Sequence, residues 1–485
     1  MARKGNENRG LFSATERLCL LGLGLAALAV QADWLAANLA LPLISKHFSA
    51  STTDLHWVLS GFMLAFGSVL PITGRVADSY GRRKLTFLGL GVFALGSLVS
   101  ASAESEWWLV LGRVIQGAGG AMILPATVSI VSAAFVGHRK AVALGIVLGS
   151  AGVGGALGPL IGGVLAQELG WRSVFYINAP VCLLSAVAIS LFHQEGDTPE
   201  KPSPPPVINS ALVSIGVVAI SLAIDRGTAW GWTSKAILSI TCCGGIALLS
   251  FALTERRRDN SLHPRSLYQD RRISAITLAG TVATFIFTLL SFFSVMALQE
   301  VHSLSSVKAG LIFLCLSVMD VLATYAAGHL SNSKFSFLAV FAAMWVLAVA
   351  LLCLASSNAL LPYVLFLAAC GLGIGMTGGI SNVLTQHYVE PSKAGSALSY
   401  TLAIKMLSSS LLLSLASTIL ESLNGGVAGA SRNGSAINEI FAYSAGLTAF
   451  GAIVTILLML HTTRRGRHDF MKVLARGRGR SKTGR

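Results

Sequence analysis

The sequence predicts an all-α polytopic membrane protein with fourteen transmembrane helices. Its mean hydropathy is +0.69. Charged residues make up only 12% of the 485 residues, about half the share found in a typical soluble protein. Apolar runs of about 18 residues or more recur along the whole chain, and such runs are long enough to span a hydrocarbon core of about 30 Å.

The predicted helices are separated by short connections that carry charges, proline or glycine. An even number of spans places both termini on one side of the membrane. We place the spans at residues 18–44, 55–74, 85–103, 107–135, 141–166, 174–193, 207–226, 235–254, 273–298, 307–328, 336–356, 360–385, 395–420 and 441–461.

Two polar interruptions divide these spans into six, two and six. The stretch EGDTPEKPSPPP cannot continue a helix because of its proline run. Two six-helix bundles with a substrate path between them are a transporter layout. The predicted regions are an N-terminus (1–17), a six-helix bundle (18–194), a Pro-rich linker (195–206), inserted helices 7 and 8 (207–254), a basic loop (255–272), a second six-helix bundle (273–461) and a basic tail (462–485).

The net charge of +15 is distributed unevenly across the predicted membrane. Most of the 36 Lys and Arg residues fall on the side that holds both termini. The positive-inside rule therefore predicts a multi-pass protein of the cytoplasmic (inner) membrane with both termini in the cytoplasm. The basic tail is expected to lie against anionic lipid head groups, so no nucleic-acid partner is needed to explain the charge.

An aspartate interrupts the first apolar run, in the stretch AVQADWLAAN. Asp33 lies between Arg17 and Lys46, which bound that run, and so sits near the centre of the membrane. A charged residue there costs about 2.5–3.5 kcal/mol on insertion scales. Two interpretations follow: a carboxylate that binds and releases a proton, or a structural Asp hydrogen-bonded between helices.

Three further charges lie well inside predicted spans, away from the span ends: Arg113, Asp320 and Lys405. Asp320 and Lys405 share the midplane depth, so they either form an ion pair or leave Asp320 facing the cavity. A cavity with two carboxylates would favour lipophilic cations. Arg113 lies roughly 9 Å inside its span by helical rise, where it either snorkels to the interface or accompanies the midplane carboxylate.

Several ordered motifs resemble those of the major facilitator superfamily, and of its fourteen-helix drug:proton antiporter branch in particular. GRVADSYGRRK follows span two, and LGRVIQGAGGAMILPA lies in span four. Span five contains GPLIGG and is followed by WRSVFYINAP, while DRGTAWGW lies between spans seven and eight. DWLAANLALP in span one is similar to the branch motif, with Leu35 in place of its threonine.

The resemblance implies roles for individual residues. It implies proton coupling by Asp33 and Arg113, and substrate binding by Asp33. It also implies substrate binding by Trp57 and Phe62, because helix 2 lines the cavity in the family. Asp320 is a further predicted substrate-binding residue, on the basis of its midplane depth, although most members of the branch have an apolar or small residue there. It implies gating by Gly74, Asp78, Gly81, Arg82 and Arg83 in the loop after span two, where the glycines permit a tight turn. It implies close helix packing through the antiporter motif of Gly154, Gly158, Pro159, Gly162 and Gly163.

Together these features predict a proton-coupled antiporter that exports lipophilic, preferentially cationic, drugs or biocides by alternating access. Its partners would be a small-molecule substrate, protons and the bilayer, with a periplasmic adaptor where the host has an outer membrane. We expect no enzyme activity, cofactor or metal, since no catalytic constellation, phosphate loop or metal-ligand spacing stands in the sequence. Two alternatives remain: an exporter of an amphiphilic metabolite such as a siderophore, and a transport-inactive membrane sensor or scaffold.

Overall fold

The structure is a computed structural model that describes residues 12–50, 55–191, 207–257, 271–331, 336–357, 359–388, 394–424 and 430–479. The predicted Pro-rich linker and most of the basic loop lie outside the described residues. The side chains of Gly74 and Asp78 are also not described, and no side chain is described from residue 460 onwards, a part that includes the predicted basic tail.

The described chain is helical throughout. The fifteen α-helices are α1 (Ala14–Phe48), α2 (His56–Tyr80), α3 (Arg82–Ala101), α4 (Glu106–Ala134), α5 (Gly137–Glu168), α6 (Ser173–Tyr176), α7 (Asn178–Ser190), α8 (Val207–Trp230), α9 (Lys235–Arg257), α10 (Arg271–Met296), α11 (Ser306–Leu330), α12 (Ser336–Ala355), α13 (Leu360–His387), α14 (Ala394–Asn424) and α15 (Ala430–Gly479). A π-helical turn, Ala297–Val301, follows α10.

Twelve of the described helical segments are long and apolar enough to cross a membrane. Two shorter apolar stretches, His56–Leu70 in α2 and Ala211–Ile224 in α8, fall below that length. The all-α, multi-pass membrane architecture is therefore confirmed, while the count of fourteen transmembrane helices stays a prediction.

Local sequence explains where several helices begin and break. The Ser13 side chain caps α1 and forms a capping box with Glu16. Gly81 has a φ of 98°, a conformation that favours glycine, and so allows the turn between α2 and α3. The predicted sixth span is divided at Ile177 into α6 and α7, because Pro180 has no N–H to continue the helical hydrogen bonds.

The first half of the molecule is built on close contact between α1 and α5. Gly154, Gly158 and Gly162 of α5 lie directly against the backbone of Leu28, Ala32 and Ala36 of α1. Matching four-residue spacings on both helices allow this close approach along three turns. This contact sets the position of Asp33, the residue that follows Ala32.

Replacing Gly158 by alanine should destabilise this helix pair. A Cβ at Gly158 would lie 2.7 Å from the backbone oxygen of Ala32, which cannot move without displacing α1. We expect a loss of about 1–3 kcal/mol, as for other overpacked sites. Gly149→Ala on the same helix is the control, since a Cβ there meets nothing within 4 Å. Thermal unfolding in detergent should show a lower midpoint for Gly158→Ala alone, and equal midpoints would contradict this packing role.

The two halves meet mainly on one side of the molecule. We call the side that carries the first turn of α1 proximal and the opposite side distal. Near the distal ends, the Val307 N–H donates to Gln167 Oε1 at 3.4 Å, and Gln299 Nε2 donates to the Leu39 carbonyl at 3.3 Å. One apolar cluster there includes distal residues of both halves.

The second seam between the halves lies along α2 and α14. Ser410 Oγ donates to the Ser60 carbonyl at 3.4 Å, and Ser414 Oγ lies 3.5 Å from His56 Nε2. Towards the proximal side, Gly145 and Gly149 of α5 face open space. The described conformation is therefore closed on the distal side.

The inserted helix α8 packs against both α2 and α14, across the seam between the halves. Thr418 Oγ1 of α14 donates to the Ile224 carbonyl of α8 at 3.2 Å. Val213, Val217 and Leu222 add apolar contacts around Trp57. Helix α9 packs against α8 and is largely exposed on its outer face. The inserted pair thus covers one seam.

Candidate functional site: a buried ion pair and a midplane cavity

Asp33 is buried inside the first half, where it is 2% exposed. Its Oδ2 pairs with Arg113 Nη1 of α4. Its Oδ1 accepts hydrogen bonds from Gln116 Nε2 at 3.1 Å and from Asn178 Nδ2 at 2.6 Å. The carboxylate therefore receives donors from two neighbouring helices, α4 and α7, which stabilise its charged form.

Arg113 is fully buried and points into the bundle rather than towards the interface. Its Nε donates to the Val58 carbonyl at 3.1 Å, and its Nη1 also donates to Gln116 Oε1 at 2.9 Å. The guanidinium carbon lies 4.6 Å from the centre of the Phe62 ring, close enough for a cation–π contact. Snorkelling, one of the two sequence-based interpretations of Arg113, is therefore not seen.

A second layer of polar residues holds Gln116 in place. Gln116 Nε2 donates to Ser97 Oγ at 2.6 Å, and Ser100 Oγ donates to Gln116 Oε1 at 3.3 Å. Both serines lie on α3. The network around Asp33 thus connects α1, α3, α4 and α7, and it reaches α2 through the hydrogen bond from Arg113 to Val58. A change in the charge of Asp33 would therefore alter contacts among five helices.

A cavity of about 230 Å³ lies between the halves at the depth of the helix midpoints. Residues of α1, α5, α10, α11, α13 and α14 line it. Its aromatic wall is formed by Trp34 and Phe287, whose rings lie 5.8 Å apart. The polar side chains of Gln31, Thr284, Asp320 and Asn382 also face it. A mostly apolar cavity with a few polar groups is typical of small-molecule sites.

Asp320 lines this cavity and is partly buried. Lys405, in contrast, donates from its Nζ to Ser381 Oγ at 3.1 Å and to Asn382 Oδ1 at 2.8 Å. No ion pair joins the described side chains of Asp320 and Lys405 within 4.0 Å. The ion pair, one of the two arrangements open from the sequence, is therefore not seen. Asp320 lines the cavity as the other arrangement expects, but Asp33 does not join it there.

The structure places three of the predicted substrate residues away from the cavity. Asp33 faces α4 and α7, Phe62 packs on Arg113, and Trp57 belongs to an apolar cluster on the seam with α8 and α14. The prediction that these three residues bind substrate is therefore not supported by the positions of their side chains. Each lies on a helix near the cavity, but its side chain points away from it. Trp34 and Phe287 form the aromatic wall instead.

The loop between α2 and α3 lies on the proximal side. Arg83 donates from Nη2 to the carbonyl of Ser190 at 2.8 Å, at the end of α7. Its guanidinium carbon also lies 5.6 Å from the centre of the Phe87 ring. In this conformation Arg83 therefore contacts its own half. Arg82 begins α3, and the predicted gating role of this loop stays a prediction.

The site includes residues whose roles were not predicted from the sequence. Asn178, which donates to Asp33, and Asn382, which lines the cavity beside Lys405, are polar residues in apolar runs. For Asn382 that property was the only signal in the sequence, whereas Asn178 also lies in the WRSVFYINAP motif. Among the described residues, no group of three His, Cys, Asp or Glu side chains is placed to hold a metal ion.

Comparison with known proteins finds relatives that are named as resistance or export proteins. The chain is 32% identical to the methylenomycin A resistance protein of Bacillus subtilis (strain 168), over 66% of the chain and 68% of that protein. It is 29% identical to the tetracenomycin C resistance and export protein of Streptomyces glaucescens, over 64% of the chain but only 57% of that protein. It is also 29% identical to the multidrug resistance protein Stp of Mycobacterium tuberculosis (strain CDC 1551 / Oshkosh), over 79% of the chain and 72% of that protein.

The fold is similar to a crystal structure of a bacterial homologue of the human lysosomal transporter Spinster, in an inward-facing and unoccupied conformation. The TM-score is 0.67 at 17% identity, covering 93% of this chain and 98% of that one. The model of the Major Facilitator Superfamily matches residues 23–413. The match extends from α1 into α14 and thus includes both the Asp33 network and the cavity, and the chain belongs to the Major Facilitator Superfamily, a family of transporters rather than enzymes.

Proposed function

We propose that the protein is a proton-coupled antiporter that exports lipophilic, preferentially cationic, drugs or biocides across the cytoplasmic membrane by alternating access. The observation that carries the proposal is the separation of two carboxylates: Asp33 lies in a buried ion pair, and Asp320 lies on the cavity. The names of the relatives, which include resistance and export proteins, support drug efflux.

Proton coupling is assigned to Asp33 with Arg113. A charged carboxylate in the bilayer is costly without a partner, and Arg113 provides that partner in the described conformation. Protonation of Asp33 would remove the attraction between the two side chains and loosen the network that joins α1, α3, α4 and α7. A proton on Asp33 would thereby favour a different arrangement of these helices, which is the coupling that antiport requires.

Substrate binding is assigned to the midplane cavity. Asp320 supplies a negative charge, and Trp34 and Phe287 supply aromatic faces for a cation. These features favour a lipophilic cation over an anion. Residues from six helices of both halves line the cavity, so rocking of the halves would expose the site to either side.

The direction of transport follows from the proposed orientation. The proximal side holds the first turn of α1 and most of the basic loops, so we place it and both termini in the cytoplasm. The described conformation, closed distally, would then admit substrate from the cytoplasm. The loop after α2, with Asp78, Arg82 and Arg83, would close that side in the opposite state. Anionic lipid at the basic tail, and a periplasmic adaptor in hosts with an outer membrane, are the further partners we propose.

Export of an anionic or neutral amphiphilic metabolite is the second candidate. The observation in its favour is Lys405, a buried amine that is separated from the cavity only by the side chain of Asn382. A substrate that displaced the Asn382 amide would meet this cation. The absence of a direct Lys405 contribution to the cavity lining makes this candidate weaker than cation export.

Proton release from everted membrane vesicles tests the proposal. Respiration acidifies the vesicle interior, and a pH-sensitive dye reports protons that leave in exchange for added compounds. We expect lipophilic cations to release protons in vesicles that contain the wild type, and Asp320→Asn to reduce the response.

Vesicles without the protein are the control. A response to anionic metabolites alone would favour the metabolite exporter. Binding of ligand by the purified protein without any proton movement would favour the sensor or scaffold and contradict the proposal.

A further inference from the structure

Asn382 lies between the cavity and the buried amine of Lys405. Its Oδ1 accepts from Lys405 Nζ at 2.8 Å, and its side chain lines the cavity. Lys405 is 2% exposed and belongs to α14, whereas Asn382 belongs to α13. The two residues therefore connect the cavity wall to a charge that the substrate does not touch in this conformation.

The amine determines which way the Asn382 amide points. An ammonium group has three donors and no acceptor, so any atom that faces it must accept. Ser381 Oγ meets the same requirement, since it accepts from Lys405 Nζ at 3.1 Å and donates its own proton to the Ile276 carbonyl at 2.8 Å. The Asn382 carbonyl oxygen must face Lys405, and its NH₂ group must face away from it.

The NH₂ group of Asn382 donates no hydrogen bond to the described residues, and its side chain is one of those that line the cavity. A donor held in this way cannot turn into an acceptor without losing the hydrogen bond from Lys405. Asp320 stands on the same cavity as an acceptor. Gln31, Thr284, Ser317 and Thr324 also line the cavity, and their amide or hydroxyl groups can accept as well as donate. The cavity thus presents one carboxylate that accepts, Asp320, and one amide that is held as a donor, Asn382.

We propose that Asn382 is a specificity-determining residue and Lys405 its positioning residue, so that the cavity selects cations that also carry a hydrogen-bond acceptor oxygen. This inference rests on the proposed function and narrows its substrate class. Asp320 takes the cationic group, and the Asn382 NH₂ donates to a carbonyl, ether or hydroxyl oxygen of the same molecule. A cation of equal size without such an oxygen leaves that donor unpaired.

Gly280 of α10 makes room for the amine. A Cβ at Gly280 would lie 2.5 Å from Lys405 Nζ and would also meet Ser381 Oγ. Alanine at this position would displace the amine without removing its charge. Gly280→Ala, on a third helix, therefore tests whether the Lys405 amine orients Asn382 without a substitution at Lys405 itself.

Two matched cations test the selection: benzylhexyldimethylammonium, and its analogue with a ketone at the second carbon of the hexyl chain. Binding of each to the purified full-length protein is measured by calorimetry, with the detergent blank subtracted. We expect the wild type to bind the ketone about fivefold more tightly, as one net hydrogen bond would give. Asn382→Asp still accepts from Lys405 but has no N–H, so the ratio of the two affinities should fall to about one.

Lys405→Met and Gly280→Ala should also lower the ratio towards one while the ketone-free cation still binds. Met406→Leu, another substitution at a cavity-lining residue, should leave the ratio unchanged. A purely structural role for Lys405 would weaken both cations together and preserve the ratio. A wild-type ratio of one, or a ratio unchanged in Asn382→Asp, would overturn this inference alone. Binding of neither cation would contradict the proposed substrate class, and this inference with it.

Discussion

Asp33→Asn should abolish proton-driven transport and leave substrate binding intact. Asparagine keeps an acceptor for Gln116 and Asn178, but it has no proton to exchange and no charge to pair with Arg113. Binding and transport are therefore compared per folded protein. Because Asp33 lies outside the cavity lining, the affinity for a lipophilic cation should stay within about twofold of the wild type, whereas proton-driven uptake should fall roughly 100-fold, as for other positioned proton-transfer groups. Uptake into proteoliposomes and binding to the purified protein measure the two quantities.

Asp320→Asn is the matched comparison, since it neutralises a carboxylate at a similar depth on the cavity itself. It should weaken binding of the same cation, and its transport defect should be relieved at high substrate concentration. If Asp33→Asn weakened binding as much as Asp320→Asn does, the assignment of separate proton and substrate carboxylates would be wrong.

Arg113→Gln should destabilise the protein far more than removal of a surface arginine. It leaves Asp33 buried without its cation, and breaking one side of a buried ion pair costs about 3–5 kcal/mol. The double variant Asp33→Asn/Arg113→Gln removes both charges, so it should recover most of that loss. Thermal unfolding of the purified variants in detergent measures these differences.

Arg139→Gln is the control for this series. It breaks the Arg139–Glu16 pair, whose side chains are 44% and 21% exposed, and exposed pairs contribute about 1 kcal/mol or less. Equal losses for Arg113→Gln and Arg139→Gln, or additive losses in the double variant, would contradict the buried pair as the organising contact of the first half.

The sequence predicts a depth in the membrane for each of the charged residues. Asp33, Arg113, Asp320 and Lys405 each interrupt an apolar run, and their distance from the ends of the run sets their depth. The direction of each side chain was not predictable in the same way, since it depends on which helices pack around it. That is why Asp320 and Lys405 share a depth but face different neighbours.

The direction of the aromatic side chains also depends on helix packing, so it was not predictable from the sequence. Trp57 and Phe62 lie on α2, which meets the second half, yet their rings face a seam cluster and Arg113. Trp34 and Phe287, in contrast, pack against each other and form the aromatic wall of the cavity. The hydrogen bond from Asn178 to Asp33 spans 145 residues of sequence, so only the packing of α7 on α1 brings the pair together.

The spacing of glycines predicted close helix–helix contacts better than the positions of the polar residues did. The residues Gly154, Gly158 and Gly162 predicted a close helix contact, and the structure places α1 there. The partner helix was not evident from spacing alone, because small residues recur in many of the spans.

The most direct test of the account is a transport measurement driven only by a pH gradient. The purified protein is placed in liposomes with an acidic interior, and uptake of a lipophilic cation and loss of internal protons are recorded together. If the protein is a proton-coupled antiporter, uptake and proton loss should occur together, should cease with a protonophore, and should both be absent with Asp33→Asn. Uptake that continues without the pH gradient, or in Asp33→Asn at the wild-type rate, would contradict it.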